Sequence, residues 1–252
     1  MPVFRLPRQH LFPDPRLADE DGLLAVGGDL NPDRVELAYQ LGIFPWPSSG
    51  HLLWFSPDPR MVLERGAERV SRSLRKVLER GAFELRIDHA FGEVVAACAS
   101  VPRPGQPGTW ISAGMVKCYT ELHRRGVAHS FETWHDGRLV GGLYGVQVGR
   151  IFCGESMFHR ETDASKFAFV SMARTLWALG FDCIDCQLPT PHLETLGAAP
   201  VVREAYLEQL AAAQTGPAPR IPRTPPTAWE QGPGEASARG PRRGRPQLRP
   251  PC

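Results

Sequence analysis

The sequence predicts an α+β protein, because helix-like and strand-like segments alternate over most of its 252 residues. A hairpin is expected at residues 128–147, where two alternating runs flank an Asp-Gly turn. A strand at 151–158, an amphipathic helix at 164–179 and a second strand at 181–188 follow it. This succession forms the centre of the predicted main domain.

The first 62 residues are predicted to form a small N-terminal lobe. They are rich in Pro, Gly and Trp and contain one convincing helix, which Asn31 caps and Gly42 ends. The stretches 22–29 and 42–47 around this helix are interpreted as ordered turns.

The main domain is predicted to span residues 63–213. Side chains that can accept hydrogen bonds from free backbone N–H groups mark three helix starts. These caps are Ser71, Asp88 and Ser112, with helices expected to run to residues 80, 98 and 125. A strand at 60–64, a short helix near 192–196 and a last helix at 202–213 complete the prediction.

Residues 214–252 are predicted to be a disordered tail, because they contain ten Pro and seven Arg and few apolar residues. The formal charge is +2 overall, +5 in this segment and −3 in the remainder. The tail either helps to hold an anionic partner such as RNA or is a solvated extension. A nucleic acid would have to bind the body through a local basic patch.

The chain is expected to be a cytoplasmic protein with reduced thiols. It has no run of eighteen apolar residues and no basic-then-apolar start, so neither a membrane span nor a secretory signal is predicted. Most of the six cysteines lie in apolar segments. Cys183 and Cys186 have C-x2-C spacing, but no second pair matches it, so two strand cysteines are favoured over a zinc site that would include His192.

Two carboxylates stand out as candidate site residues. Glu155 lies between Phe152 and Phe158, and Asp185 is enclosed by apolar neighbours. A carboxylate in such surroundings is costly unless it has a partner or a chemical role.

The order of elements in the main domain resembles the GNAT acyltransferase fold. That fold normally holds the pyrophosphate of coenzyme A with a glycine-rich loop at the start of the helix after its central strand. The equivalent residues here, 159–165, contain no glycine and two acidic side chains. An acyl-coenzyme A donor is therefore disfavoured and kept as an alternative.

Nine short motifs lie in order along the chain: GGDL (27–30), GIFPW (42–46), WFSPDPR (54–60), GTWI (108–111), AHS (128–130), GGLYG (141–145), FCGESMF (152–158), ASK (164–166) and IDCQ (184–187). Together they resemble the leucyl/phenylalanyl-tRNA–protein transferase family, over residues 11 to 206. Nine motifs in order make the resemblance specific, although none is decisive alone.

The resemblance implies transfer of Leu or Phe, and also Met, from aminoacyl-tRNA to the α-amino group of an N-terminal Arg or Lys. The product would be marked for N-end-rule degradation. No cofactor and no metal are expected, because the acceptor's own amine, with an ordinary pKa of roughly 7.7–8.0, is the nucleophile. A monomer is expected. The alternatives are an acyl-coenzyme A-dependent N-acyltransferase and a non-catalytic tRNA- or peptide-binding module.

Asp185 and Gln187 are the predicted catalytic residues, because positions i and i+2 of a strand project from one face. In this hypothesis Asp185 accepts a hydrogen bond from the Gln187 amide, and the Gln187 carbonyl oxygen takes a proton from the attacking amine. Otherwise Asp185 caps a helix and Gln187 is a satisfied polar group at a strand end.

Glu155 is predicted to bind the basic side chain or the α-ammonium group of the acceptor, because a carboxylate is the simplest match for either charge. A buried pair with Arg150 is the alternative. For the donor side chain, the resemblance implies an apolar pocket of Leu143, Phe152, Met157, Phe169 and Ile184.

Three further predictions concern the tRNA. Trp46 and Trp110 lie in turn-like segments and can stack on its 3′-terminal adenine, unless they only pack between the lobes. The basic residues Arg72, Lys76 and Arg80 recur on one helix face and are proposed to contact the tRNA backbone. A solvated helix face is the alternative.

Overall fold

The computed structural model describes residues 3–48, 50–101 and 111–226. The first part of the chain forms a four-stranded sheet in the order β1-β2-β4-β3, with helix α1 between β2 and β3. Its elements are β1 (Phe4–Leu6), β2 (Leu23–Gly27), α1 (Pro32–Gln40), β3 (Phe44–Ser48) and β4 (His51–Phe55), with a 3-10 turn at Pro15–Leu17.

The small lobe therefore contains more regular structure than the sequence predicts. Asn31 caps α1 as expected, accepting a hydrogen bond from the Asp33 N–H. The segments interpreted as turns, however, are strands β2 and β3. Proline is tolerated in β3 because that strand lies at the edge of the sheet, where one side of its backbone needs no partner.

The rest of the chain forms a seven-stranded sheet in the order β11-β5-β10-β9-β8-β7-β6. Its strands are β5 (Arg60–Glu64), β6 (Glu84–Ile87), β7 (Ala128–His135), β8 (Arg138–Val148), β9 (Ile151–His159), β10 (Cys183–Gln187) and β11 (Ala199–Val201). Its helices are α2 (Arg72–Arg80), α3 (Phe91–Ser100), α4 (Ala113–Arg124), α5 (Ala164–Leu179), α6 (Pro191–Thr195) and α7 (Arg203–Ala213). The predicted α+β class is confirmed.

The helix caps follow the sequence signals at two of the three predicted starts. Ser71 and Ser112 accept hydrogen bonds from the third N–H of α2 and α4. The cap predicted at Asp88 is wrong, because its carboxylate accepts from the Ser130 N–H and pairs with His129. Glu132 instead accepts the N–H groups that precede α3.

Strands β9 and β10 are parallel neighbours, and α5 connects them. Helices α2 and α5 cover one face of the large sheet, whereas α1, α3, α4 and α7 cover the other, each burying one apolar cluster. Side chains of β10 alternate accordingly: Cys183 belongs to one cluster and Ile184 to the other.

Both predicted domain boundaries differ in detail from the structure. All of β5 belongs to the large sheet, so the small lobe ends before Arg60 rather than at residue 62. The start of the predicted tail packs against the body: Ile221 is only 5% exposed, and Gln147 donates a hydrogen bond to the Pro219 carbonyl. Disorder is therefore a wrong prediction for this part, and residues 227–252 lie outside the described range.

Candidate active site

A cavity of about 340 Å³ lies at the point where β9 and β10 stop pairing. Their last paired residues are Cys153 and Asp185. Beyond them the strands leave room for an opening between the sheet, α5 and α6. Its walls are Trp46, Leu143, Tyr144, Gly154, Glu155, Ser156, Met157, Phe169, Met172, Ile184, Cys186, Gln187, Leu188, Thr190, His192 and Leu193.

Two β-bulges direct polar side chains into this cavity. On β9, Gly154 and Ser156 pair with neighbouring residues of β8, so Glu155 is the extra residue between them. On β10, Asp185 and Gln187 pair with neighbouring residues of β5, so Cys186 is the extra residue. Because a bulge changes the face to which later side chains point, Glu155 and Gln187 meet at one end of the cavity.

Glu155 is held by two hydrogen-bond donors. The Gln187 Nε2 group donates to its Oε1 atom at 2.6 Å, and the Tyr119 hydroxyl donates to its Oε2 atom at 2.7 Å. The Tyr39 hydroxyl lies 2.6 Å from that of Tyr119, which extends the chain of hydrogen bonds to α1.

Burial raises the pKa of Glu155, although the hydrogen bonds from Tyr119 and Gln187 and the nearby Tyr39 hydroxyl oppose this effect. Burial likewise raises the pKa of both tyrosines, so they remain protonated donors. Among the described residues, no basic group lies within 4 Å of the Glu155 carboxylate. The alternative partner Arg150 pairs with Asp182 instead, at 2.9 Å. Within the described part of the chain, Glu155 is thus a carboxylate at a cavity wall without a counter-ion.

Asp185 lies behind the cavity rather than in its wall. It is fully buried, and its carboxylate forms a bidentate ion pair with Arg60, whose Nε and Nη2 atoms donate to Oδ1 at 2.8 Å and to Oδ2 at 2.6 Å. The Tyr206 hydroxyl and the Gln187 backbone N–H also donate to it, both at 2.8 Å. The hydrogen bond predicted from the Gln187 side-chain amide to Asp185 is therefore wrong: the backbone N–H makes it, and the side chain turns to Glu155.

Four of the five predicted pocket residues line the cavity: Leu143, Met157, Phe169 and Ile184. Phe152 does not. It is fully buried behind the wall, edge-on to Phe131 with ring centroids 5.6 Å apart. The sequence interpretation missed Met172, which follows Phe169 by three positions on α5, and Leu193 on α6. The i, i+3 spacing on α5 was the available signal for Met172.

The predicted tRNA contacts are distributed over two regions. Trp46, on β3, lines the cavity, whereas Trp110 lies outside the described residues. Arg72, Lys76 and Arg80 are exposed on α2, and we call them the basic α2 face. Within the described ranges, no carboxylate lies within 4 Å of any of the three.

No group of three or more His, Cys, Asp or Glu side chains in the described parts of the chain could hold a metal ion. Burial raises the pKa of the Cys183 and Cys186 thiols, so both keep their protons. No helix of the described part is long and apolar enough to cross a membrane.

A larger groove of about 1480 Å³ lies near the other end of β8, between the end of α4 and residues 214–223. Its charged groups largely satisfy one another: Arg125 pairs with Asp33 and Glu121, and Asp88 pairs with His129. The smaller cavity has the mainly apolar walls and the convergent polar groups that are typical of a ligand site. We therefore assign the candidate active site to it.

The chain is similar in sequence to proteins of one known family. The sequence profile of leucyl/phenylalanyl-tRNA protein transferase matches residues 62–211, and that of its N-terminal domain matches residues 28–58. A leucyl/phenylalanyl-tRNA–protein transferase of Anaeromyxobacter sp. (strain K) is 53% identical over 218 residues, which are 86% of this chain and 94% of that protein. One from Thiobacillus denitrificans (strain ATCC 25259 / T1) is 56% identical over 196 residues, covering 77% and 86%.

The profile and these relatives are those of aminoacyltransferases, which is the class of enzyme they define here. The chain belongs to the leucyl/phenylalanyl-tRNA protein transferase family. Among solved structures, a GCN5-related N-acetyltransferase-like protein from Streptococcus suis 89/1591 is 14% identical, with 67% of this chain and 63% of that one covered and a TM-score of 0.31. A likeness this weak carries no conclusion.

Proposed function

We propose that this protein transfers Leu, Phe or Met from aminoacyl-tRNA to the α-amino group of an N-terminal Arg or Lys. The observation that carries this proposal is the cavity between β9 and β10, which has mainly apolar walls and contains the Glu155 carboxylate, for which the described residues provide no basic partner within 4 Å. We further propose that the protein acts in the cytoplasm as a monomer and thereby marks its acceptors for N-end-rule degradation.

The donor's side chain would occupy the apolar part of the cavity. A hydrophobic pocket distinguishes side chains by only about 1–3 kcal/mol per methylene, so Leu, Phe and Met are accepted together. Met157 and Met172 suit this tolerance because a flexible thioether side chain adapts to guests of different shape. Rejection of β-branched side chains would depend on the shape of the walls.

The acceptor's positive charge would be held by Glu155. Burial destabilises the charged form of this carboxylate, and its present hydrogen-bond donors are neutral. A charge-assisted hydrogen bond from the acceptor would compensate for the cost of burial. The basic side chain and the α-ammonium group of the acceptor can both make such a bond. Neutral N-terminal residues offer only the second.

The reaction is aminolysis of the ester that links the amino acid to the tRNA ribose. The α-amine attacks the ester carbonyl carbon, a tetrahedral oxyanion forms, and the C–O bond to the ribose breaks as the new amide forms. The Gln187 Oε1 atom would accept a hydrogen bond from the amine and orient its lone pair, because the Nε2 group is already fixed by Glu155. Glu155 takes the proton that the amine loses, since its raised pKa makes it a better acceptor than an ordinary carboxylate, and the proton then passes to the ribose oxygen as it leaves.

The tRNA itself would contact two regions of the protein, the cavity wall and the basic α2 face. Trp46 provides an aromatic surface at the cavity wall on which the terminal adenine can stack. The basic α2 face offers unpaired positive charge to backbone phosphates. We keep Trp110 as a second stacking residue on the resemblance alone.

The decisive experiment is transfer of radiolabelled Phe from Phe-tRNA to an Arg-initiated peptide, run beside acetyl-coenzyme A as donor. Transfer from tRNA alone supports the proposal. Acetylation alone would indicate the coenzyme A-dependent alternative, and binding without either product would indicate a non-catalytic module.

A Glu155→Gln variant tests the acceptor site in the same assay. It should reduce the preference for Arg-initiated over Ala-initiated peptides, because the carboxylate charge is lost while the shape is kept. An unchanged preference would exclude Glu155 as the acceptor-binding group.

A further inference from the structure

Arg60 is the most completely enclosed cation near the active site. It is 1% exposed, and its Nε and Nη2 atoms donate to the two oxygens of Asp185. Its Nη1 atom donates to the Gly42 carbonyl at 3.0 Å. The rings of Phe44 and Tyr206 lie over the guanidinium group, at 5.0 and 4.5 Å from their centroids. Arg60 therefore connects the small lobe, β10 and α7.

The Asp185 carboxylate has little remaining capacity to handle a substrate's proton. Its Oδ1 atom accepts from the Arg60 Nε and the Gln187 N–H, and its Oδ2 atom accepts from the Arg60 Nη2 and the Tyr206 hydroxyl. A carboxylate offers about four acceptor positions, and these four bonds use them. Asp185 therefore affects the reaction through the groups that it positions.

Asp185 stabilises an unfavourable backbone conformation at Gln187. The φ angle there is 64°, in the left-handed region, which is unfavourable for a non-glycine residue. The hydrogen bond from the Gln187 N–H to Asp185 and the adjacent bulge stabilise it. In this conformation the side chain points to Glu155 in the cavity rather than back to Asp185.

We propose that Arg60 is a positioning residue for aminoacyl transfer: it fixes Asp185, which fixes the Gln187 backbone and so aims the Gln187 amide at the reacting amine. This inference rests on the proposed function. It differs from a purely structural role because loss of Arg60 must reduce the rate of correctly folded molecules.

The test is a kinetic cycle of Arg60→Met, Asp185→Asn and the double variant, assayed with Phe-tRNA and an Arg-initiated peptide. Arg60→Met should lower kcat per folded molecule by about 10- to 100-fold, since a misplacement of about 1 Å has effects of this size. In the double variant, the amide that replaces the Asp185 carboxylate can still accept the Gln187 N–H, and no buried charge is left unpaired. Because Arg60 acts through Asp185, we expect the losses of the two single variants not to multiply, so that the double variant is about as slow as the slower single variant.

Arg34→Met is the matched control. Arg34 is also fully buried, pairs with Asp29 at 3.1 Å and donates to two backbone carbonyls, but it lies in the small lobe outside the cavity wall. It should lose thermal stability without a change in kcat per folded molecule. The folded fraction of each variant is measured by circular dichroism at the assay temperature.

Two results would overturn the inference: a folded Arg60→Met variant with the kcat of the unmodified protein, or a double variant whose loss of kcat is the product of the two single losses. If Arg60→Met does not fold, Tyr206→Phe replaces it, because that change removes one donor to Asp185 and keeps the ring. It should lower kcat by about 3- to 10-fold, by loosening the same carboxylate, and an unchanged kcat would overturn the inference. If the unmodified protein itself transfers nothing, the proposed function has failed instead.

Discussion

Replacing Tyr119 by phenylalanine should raise the pH below which the acceptor is no longer bound. The Tyr119 hydroxyl donates to the Glu155 carboxylate and so stabilises its charged form, against the burial that raises its pKa. The charged form exists above that pKa and is lost as the pH falls through it. Removing the donor raises the pKa further, so the loss begins earlier on acidification.

The size of this effect follows from the two donors that Glu155 has. A hydrogen bond to a charged group contributes about 1.5–3 kcal/mol, and about 1.4 kcal/mol corresponds to one pH unit. The Tyr39 hydroxyl is close enough to interact with Glu155 and replaces part of the lost bond. We therefore expect the midpoint of the pH dependence to rise by about one unit.

The dissociation constant of a fluorescent Arg-initiated peptide, measured between about pH 4.5 and 7, gives this midpoint directly. In that range the α-amine, with its ordinary pKa of about 7.7–8.0, and the guanidinium group both keep their protons. The change in affinity then reports on the protein. A transfer rate would mix the titration of Glu155 with that of the nucleophile.

Thr133→Val is the control for the Tyr119 variant, because it removes a buried hydroxyl that donates to the Ala164 carbonyl instead of Glu155. Its midpoint should equal that of the unmodified protein. If Tyr119→Phe also leaves the midpoint within about 0.2 pH units, or if both variants move it equally, Glu155 is not the group that binds the acceptor.

Three further predictions concern stability, donor choice and tRNA binding. Gly145→Ala should lower the free energy of unfolding by about 1–3 kcal/mol in urea denaturation, because a Cβ atom would overlap the Cys153 carbonyl oxygen. As its control, Gly92→Ala should be neutral or stabilising, because a Cβ atom there meets no atom within 4 Å. Met172→Ala should enlarge the cavity and raise the kcat/KM ratio of Phe-tRNA over Leu-tRNA by about 10-fold in a competition assay; an unchanged ratio would place the donor side chain elsewhere. Neutralising the basic α2 face with three glutamines should reduce the slope of log Kd for tRNA against log salt concentration by about 2 to 3, and an unchanged slope would exclude phosphate contacts there.

Local signals predicted the elements whose causes lie within a few residues of one another. The caps at Ser71 and Ser112 and the Asp-Gly turn of the β7–β8 hairpin are examples. Asp88 failed because two remote groups, the Ser130 N–H and the His129 ring, bind its carboxylate more directly than a helix start does. Its type of side chain indicated a hydrogen-bond acceptor but could not identify the donor.

The candidate site was predictable in its residue types but not in its connections. The apolar surroundings of Glu155 and the i, i+2 spacing of Gln187 from Asp185 indicate these two residues, and both line the cavity. Strict strand alternation put Gln187 beside Asp185, but the bulge at Cys186 changes the direction of its side chain. The partner of Asp185, Arg60, is 125 positions away in the sequence, so no local pattern could reveal it.

The segment from Tyr39 to Trp46, which includes the turn between α1 and β3, makes the small lobe part of the candidate active site. Tyr39 reaches the hydrogen-bond chain of Glu155, the Gly42 carbonyl binds Arg60, and Trp46 forms part of the cavity wall. Neither sheet, taken with the helices that cover it, contains the complete candidate active site. Exchanging the small lobe between relatives should therefore alter catalysis as well as tRNA affinity, unless these three contacts are transferred with it.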